Sequence, residues 1–164
     1  MDVLRIVFLL LATVSMGLVA GVFDVYRHAI MPGLAKTDDR TFVGAFQQMD
    51  TAIINPWFMV TEFFGAVVLT GVAGALQIGR APFWWIAAAF VLYLITVVVT
   101  VRVNVPLNDA LKAAGAPDTL RDLAGVRARF NEARWRAFNR FRVFATIVAT
   151  LLLAWALVVH GQTG

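Results

Sequence analysis

The sequence predicts an all-α integral membrane protein, built as a four-helix bundle with two amphipathic interfacial loop helices. Three observations carry this prediction: four long uncharged stretches, two loops with helical apolar periodicity, and cations that flank the stretches. Hydrophobic residues make up 60% of the 164 positions, and charged residues make up only 15%. The remaining residues are too few to cover four wholly apolar helices in water, so we place the chain in a bilayer.

Each uncharged stretch is long enough to cross a hydrocarbon core of about 30 Å as a helix. The stretches are Ile6–Phe23, Phe63–Gly79, Ala81–Val101 and Val143–Val159. With their flanking residues they predict spans at about residues 5–23, 57–79, 81–102 and 141–160. We expect residues 1–164 to form a single four-span membrane domain.

The first stretch has a second interpretation, as a secretory signal peptide. Arg5 precedes the apolar run, and the small residues of Gly17–Gly21 resemble a cleavage site. The apolar run continues to Phe23 after a single charged residue, which favours a retained span. The sequence alone leaves both interpretations open.

Positive charges are concentrated on one predicted side of the membrane. Arg5 and Arg80 are the cations near the N-terminus, the turn at Gln77–Pro82 and the C-terminus, and the two long loops carry the others. The positive-inside rule therefore predicts cytoplasmic long loops in a multi-pass protein of the bacterial inner membrane. Because the formal net charge of +4 flanks spans, we expect membrane lipids as partners and no nucleic acid.

The first long loop is predicted to contain a helix at about residues 41–54. Asp39–Thr41 supply candidate N-caps. Apolar side chains then recur every three or four residues, on the face that carries Phe42, Phe46, Met49 and Ile53. The opposite face carries polar residues, namely Gln47, Gln48, Asp50 and Thr51.

The second long loop is predicted to contain a helix at about residues 118–140. Pro117 and Asp118 resemble a helix start, and after Gly125 no Gly or Pro interrupts the chain before the fourth span. This helix is therefore expected to continue straight into that span. Both loop helices have two possible positions: flat in the membrane interface, or packed on the bundle as lids.

The residue types predict that the protein has no metal or other cofactor. The chain has no cysteine, which excludes iron–sulfur clusters and thiolate nucleophiles. His28 follows the first span and His160 ends the fourth, so the two imidazoles are expected on opposite membrane faces. They are then too far apart to share one metal ion or one haem.

Glu62 is a candidate catalytic carboxylate because it lies about six residues inside the second span. A carboxylate at that depth is costly and normally faces a partner or a wet cavity. The structural alternative is a hydrogen bond between packed helices.

Asn104 and Asn108 flank Pro106 where the third span ends. Proline lacks an N–H and disfavours helix at the preceding residue, so we expect the helix to break here. The two amides are then either caps for the broken helix or contacts for a polar ligand group.

Trp135, Asn139 and Arg142 fall on one helix face, at spacings of four and three. An aromatic plane, an amide and a fixed cation side by side suit a planar, partly anionic molecule. An interfacial belt of tryptophan and arginine at the head groups explains the same spacing.

Taken together, these motifs resemble the anthrone oxygenase-like family of small membrane proteins, over nearly the whole chain. The motifs that carry the resemblance are Met31–Leu34, Asp38–Phe42, Asn55–Phe58, Asn104–Asn108, and Trp135 with Asn139 and Arg142. Fungal members are associated with oxidation of polyketide anthrones to anthraquinones. The resemblance thus implies a membrane oxidoreductase that acts on a hydrophobic aromatic or quinone-like molecule.

The resemblance also implies roles for individual residues. An anthrone has an acidic C–H opposite its ketone, and the carbanion left by deprotonation reacts with oxygen without a metal. Glu62 or His28 would take the proton. Substrate-binding residues would hold the oxygen and the rings, and the candidates are Asn55, Asn104, Asn108, Trp135, Asn139 and Arg142.

Two other functions remain possible on the sequence. The first is a non-enzymatic protein that binds a lipid or quinone, or an accessory subunit of a membrane complex or homo-oligomer. The second is a small transporter, although a single intramembrane carboxylate argues against coupled transport. Convergence of the polar residues on one pocket would favour the enzyme.

Overall fold

A computed structural model describes residues 1–163, and in them the chain is helical without any strand. The prediction of an all-α fold is confirmed. Four helical stretches are long and apolar enough to cross a membrane: Asp2–Leu34, Trp57–Leu76, Phe83–Ala113 and Leu123–Thr163. The protein is therefore a multi-pass helical membrane protein.

Eight α-helices and three π-helical segments make up these spans and the loops. The α-helices are α1 (Asp2–Val25), α2 (Met31–Leu34), α3 (Asp39–Ile53), α4 (Phe64–Leu76), α5 (Phe83–Val99), α6 (Val105–Ala113), α7 (Leu123–Phe130) and α8 (Glu132–Thr163). The π segments are Tyr26–Ile30, Trp57–Phe63 and Thr100–Asn104. A short 3₁₀ turn occupies Pro117–Thr119.

The four spans form a bundle in which α1 packs on α4 and α8, and α5 packs on the same two helices. Small residues at the crossings let the backbones approach closely, as is usual between helices in lipid. The fully buried small residues are Ala12, Ala66, Ala73, Ala89, Ala149 and Ala156. Large apolar residues such as Phe144 and Leu151 point outward, where lipid would surround them.

The chain does not break at Pro106, and this corrects the sequence-based expectation. The π segment Thr100–Asn104 leads directly into α6, and the helix Phe83–Ala113 is continuous. The π turn explains the continuity, because it removes the need for the hydrogen bond that proline cannot donate. The same order occurs in the first span, where Tyr26–Ile30 precedes Pro32.

The first loop helix, α3, is capped one residue earlier than the sequence predicted. Asp38 is the N-cap, and its carboxylate accepts from the N–H of Thr41 at 2.9 Å. That hydrogen bond holds the pKa of Asp38 below its ordinary value. The helix packs on α7 and α6 through the aromatic rings of Phe42, Phe46 and Phe130. It is a packed lid, and its polar face is not all exposed, since Gln47 and Asp50 are buried.

The second loop helix is divided, whereas the sequence predicted one helix over about residues 118–140. After the 3₁₀ turn, Asp122 caps α7 by accepting from the N–H of Gly125. Asn131 then adopts the left-handed conformation with φ of 52° and ends α7. Asparagine tolerates this conformation, so a helix can end without the Gly or Pro that the sequence analysis looked for. From Glu132, α8 does run unbroken into the fourth span.

Hydrogen bonds tie together the opposite end of the bundle. The Arg5 side chain donates to the carbonyl of Leu76 at 2.8 Å, and Gln77 and His160 are joined at 3.0 Å. The start of α1, the end of α4 and the end of α8 therefore lie at one end. The two long loops and the three π segments lie at the other.

Candidate functional site

A mostly apolar cavity of about 320 Å³ lies at the loop end of the bundle. Its walls come from residues in or beside all three π segments, which widen their helices at this level. The roof comes from α3. The lining residues are Val22, Phe23, Tyr26, Phe46, Asp50, Ile53, Ile54, Phe58, Met59, Phe63, Phe64, Thr100, Val101, Val105, Asn108, Trp135 and Arg142.

The cavity opens sideways, toward the space that lipid would occupy. Ile54 and Val101 line it and are each 57% exposed, and Phe64, at 51% exposed, lines it as well. Ile54 directly follows α3, Phe64 begins α4 and Val101 lies in the third π segment, so together they form a rim between these elements.

Arg142 places a buried charge on the cavity wall. Arg142 is only 5% exposed. One terminal nitrogen of its guanidinium donates to Oδ1 of Asn139 at 2.8 Å. The other terminal nitrogen lies 3.4 Å from the hydroxyl of Thr100, and Nε has no hydrogen-bond partner. Within residues 1–163 no carboxylate lies within 4.0 Å of this guanidinium.

Aromatic rings partly compensate the Arg142 charge. The guanidinium carbon lies 4.3 Å from the centre of the Phe23 ring and 5.4 Å from that of Trp135. Cation–π contacts of this kind are attractive, but they leave N–H donors free. A buried charge without a counter-ion is costly. An anionic ligand in the cavity would therefore be stabilised by Arg142 more strongly than a neutral one.

Trp135 is held in the wall at two points by the two asparagines of the third span's end. Its indole N–H donates to Oδ1 of Asn108 at 2.8 Å. Its backbone carbonyl accepts from Nδ2 of Asn104 at 3.3 Å. Asn104 and Asn108 are one helical turn apart, which is why both reach the same tryptophan. Asn104 is thus buried behind the cavity, whereas Asn108 lines it.

Asp50 lines the cavity, although the sequence places it on the polar face of its helix. Its Oδ1 accepts from Nδ2 of Asn108 at 2.6 Å, and its Oδ2 lies 2.7 Å from Nζ of Lys112. A signal was available: Phe46 and Asp50 are four residues apart and so share a helix face. The carboxylate keeps unused lone pairs, since each oxygen accepts more than one hydrogen bond.

Five of the eight predicted site residues lie outside the cavity lining, namely Asn104 and Asn139 behind its wall, and Glu62, His28 and Asn55. Glu62 is buried at 8% exposed, with its Oε2 unpaired, but it does not line the cavity. The His28 side chain is 62% exposed, and its ring contacts the carbonyl of Asp24 at 2.6 Å. Asn55 acts as a helix cap, because its Oδ1 accepts from the N–H of Phe58 at 3.0 Å.

Asn139 supports the cavity from behind. Its Nδ2 donates to the carbonyl of Phe23 at 3.0 Å, and its Oδ1 accepts from Arg142. It therefore orients the guanidinium and joins α8 to α1 just before the first π segment. The predicted group of Trp135, Asn139 and Arg142 does converge, with Asn104 and Asn108 beside it.

The two histidines lie at opposite ends of the bundle, His160 beside Gln77 and His28 beyond the first span. In the described part of the chain, no group of three or more His, Cys, Asp or Glu side chains is placed to hold a metal ion.

Comparison with known proteins identifies the family. The family model described as anthrone oxygenase matches residues 56–152, which is more than half of the chain. The matched region contains Asn108, Trp135 and Arg142, while Asp50 precedes it. No curated protein and no solved structure matches the chain. The resemblance noted in the sequence is confirmed, and the chain belongs to the anthrone oxygenase family.

Proposed function

We propose that this protein is a membrane oxidoreductase that binds a planar hydrophobic aromatic molecule in the cavity and oxidises an activated ring CH₂ group to a ketone. The observation that carries the proposal is the buried guanidinium of Arg142, unpaired with a carboxylate and facing a mostly apolar chamber. A neutral lipid gains nothing from such a charge. A molecule that becomes an anion during reaction gains most when its charge develops.

The substrate that fits best is an anthrone-type ketone. Loss of one CH₂ proton leaves an anion whose charge rests largely on the ketone oxygen, and Arg142 is placed to hold that oxygen. The reaction with oxygen then balances without another reductant. One O₂ converts the CH₂ group to C=O and releases one water, so the four electrons lost by carbon are those gained by oxygen.

Asp50 is the carboxylate that we assign as the proton acceptor, in place of Glu62 or His28. It lines the cavity, and the other two do not. Lys112 and Asn108 hold its two oxygens and fix its position. Trp135 offers an aromatic surface for the rings, held rigid by Asn104 and Asn108. Family membership supports this reading, although one family or fold hosts more than one activity.

The proposed setting is the bacterial inner membrane, with the loop end of the bundle toward the cytoplasm. The arginine-rich loops support this orientation through the positive-inside rule. Both substrate and oxygen dissolve in the bilayer, so the lateral rim at Ile54, Phe64 and Val101 provides their entry.

The lateral rim also favours a second function, the non-enzymatic binding of a lipid or quinone. A binding protein needs the same opening and the same apolar walls. It does not need a carboxylate on the wall opposite a cation. The two functions therefore differ in whether the bound molecule is oxidised and whether that oxidation requires Asp50.

The test is turnover of a hydroxylated anthrone by the purified protein in lipid vesicles. Oxygen consumption and the visible absorption of the anthraquinone are measured together, and the rate in empty vesicles is subtracted. We expect one O₂ consumed per anthraquinone, and a loss of at least about a hundredfold in Asp50→Asn. Gln48→Ala, on the exposed face of α3, is the control. Binding without any acceleration over empty vesicles would leave the binding function and reject the oxidoreductase.

A further inference from the structure

A second cavity, of about 240 Å³, lies on the outer side of the same wall. Polar and charged groups line most of it, unlike the first cavity. Its lining residues are Arg27, Met31, Trp135, Arg136, Asn139 and Arg140. Trp135 lines both cavities, so this residue lies between them.

Three guanidinium groups face this second cavity with only two carboxylates near them. Arg27 lies 3.7 Å from Asp24, and Arg136 lies 3.4 Å from Glu132. Arg140 has no ion pair within residues 1–163. The cavity therefore keeps a surplus of positive charge and of N–H donors. Planar guanidinium forks from two helices match the oxygens of a phosphate.

The residues that follow Arg140 on α8 indicate which kind of molecule would carry that phosphate. Phe144, Ile147 and Leu151 follow it at spacings of four, three and four, and they are 70%, 41% and 63% exposed. These residues form one stripe on the lipid-facing side of the fourth span. Arg136 and Arg140 extend the same stripe beyond its apolar part. A molecule with an anionic head and apolar tails matches that sequence of contacts.

We propose that this cavity is a binding site for the phosphate group of an anionic glycerophospholipid, whose acyl chains lie along the stripe of Phe144, Ile147 and Leu151. A free phosphate ion would use the arginines but not the stripe. The site is distinct from the apolar cavity, and the inference does not rest on the proposed oxidation. Asn139 lines this site and also accepts a hydrogen bond from Arg142. Only the Asn139 side chain would therefore separate a bound lipid from the guanidinium in the first cavity.

The experiment is a lipid titration of the full chain, purified in detergent and followed by native mass spectrometry. Phosphatidylglycerol and phosphatidylcholine with identical acyl chains are compared, because they share a phosphate and differ in net charge. We expect one phosphatidylglycerol to bind at least about tenfold more tightly than phosphatidylcholine. Arg27→Gln combined with Arg140→Gln should weaken its binding about 25-fold, at about fivefold for each guanidinium lost.

The matched control is Arg102→Gln, which removes an exposed cation at the same end of the bundle but outside the cavity. It should change phosphatidylglycerol affinity by less than about twofold. Equal affinity for the two lipids, or an equal loss in the control, would overturn the site in favour of diffuse attraction. Complete displacement of the lipid by millimolar inorganic phosphate would overturn the lipid as the occupant.

A folding defect is separated from a binding defect by thermal unfolding in lipid-free detergent. Each arginine in the test is exposed, so the variants should unfold at the temperature of the unmodified protein. Should the double variant unfold earlier, Arg140→Gln alone decides the matter. An unchanged phosphatidylglycerol affinity in a stable Arg140→Gln variant would reject the proposal.

Discussion

The indole N–H of Trp135 donates to the side-chain oxygen of Asn108 at 2.8 Å, and this bond joins the fourth span to the helix that continues the third. The other end of the Asn108 amide donates to Asp50, which pairs with Lys112. One chain of polar contacts thus fixes the aromatic wall, the roof helix and the carboxylate of the cavity. Its removal should affect all three.

The Trp135–Asn108 bond should contribute measurably to stability. Asn108→Leu leaves the indole N–H and Oδ1 of Asp50 without a partner, so we expect a loss of about 1–3 kcal/mol in the free energy of unfolding. Trp135→Phe removes the donor itself. The two losses should not add in the double variant, because they delete the same bond. Denaturant unfolding in micelles measures all three variants, and strictly additive losses would contradict the geometry.

Gly65 lies in a close contact within its own helix, just after the second π segment. A Cβ atom there would lie 2.7 Å from the carbonyl oxygen of Val60 and 3.3 Å from the hydroxyl of Ser15. Gly65→Ala should therefore cost about 1–3 kcal/mol through overpacking. Gly21→Ala is the matched control, since its Cβ would meet nothing within 4 Å, and it should be neutral or stabilising. Thermal unfolding compares the two, and equal effects would disprove the close contact.

Asn131 should tolerate glycine better than alanine. Its φ of 52° is unfavourable for most side chains, and its Oδ1 also accepts from the N–H of Arg134 at 3.1 Å. Both substitutions lose that bond, but only alanine adds the cost of the left-handed conformation. We expect Asn131→Ala to be about 1–2 kcal/mol less stable than Asn131→Gly. Equal stabilities would indicate one continuous helix through this position.

The orientation in the membrane can be tested with single cysteines, because the chain has none of its own. Ile78→Cys lies in the short turn, and Ala116→Cys lies in the second long loop. A membrane-impermeant maleimide should label Ile78→Cys in intact bacterial cells and Ala116→Cys only after permeabilisation. The opposite pattern would place the arginine-rich loops outside.

The sequence predicted the four spans, and it predicted that Trp135, Asn139 and Arg142 share a helix face. A chain this small cannot cover four long apolar helices in water, so such runs predict membrane spans. The helix α8 is regular through the site. Trp135, Asn139 and Arg142 therefore fall on one buried face, as their spacing indicated. The same reasoning failed for Glu62, because it lies after Pro56 inside a π segment. Each π turn inserts a residue and rotates the rest of its helix. A period of 3.6 residues then no longer tells which side of the helix a residue such as Glu62 faces.

Asp50 was missed for a different reason. Its helix packs against α6 and α7 and also covers the cavity, so its buried face is wider than an apolar stripe. Gln47 shows the same effect, since its amide donates to the carbonyls of Leu111 and Gly115 at 2.8 and 3.0 Å. Polar residues buried by partners distant in sequence resemble solvated ones in a periodicity analysis. Only the tertiary contacts distinguish them.

The central claim is that Arg142 holds the oxygen of a planar anionic ligand in the cavity. The most direct measurement is the dissociation constant of a hydroxylated anthraquinone, determined by equilibrium dialysis against the protein in nanodiscs. Arg142→Lys keeps a positive charge but loses the planar fork, so we expect affinity to fall about tenfold or more. Arg134→Lys, exposed on the same helix and outside both cavities, should bind as the unmodified protein does. Equal affinities for Arg142→Lys and Arg134→Lys, with both variants folded, would contradict the account.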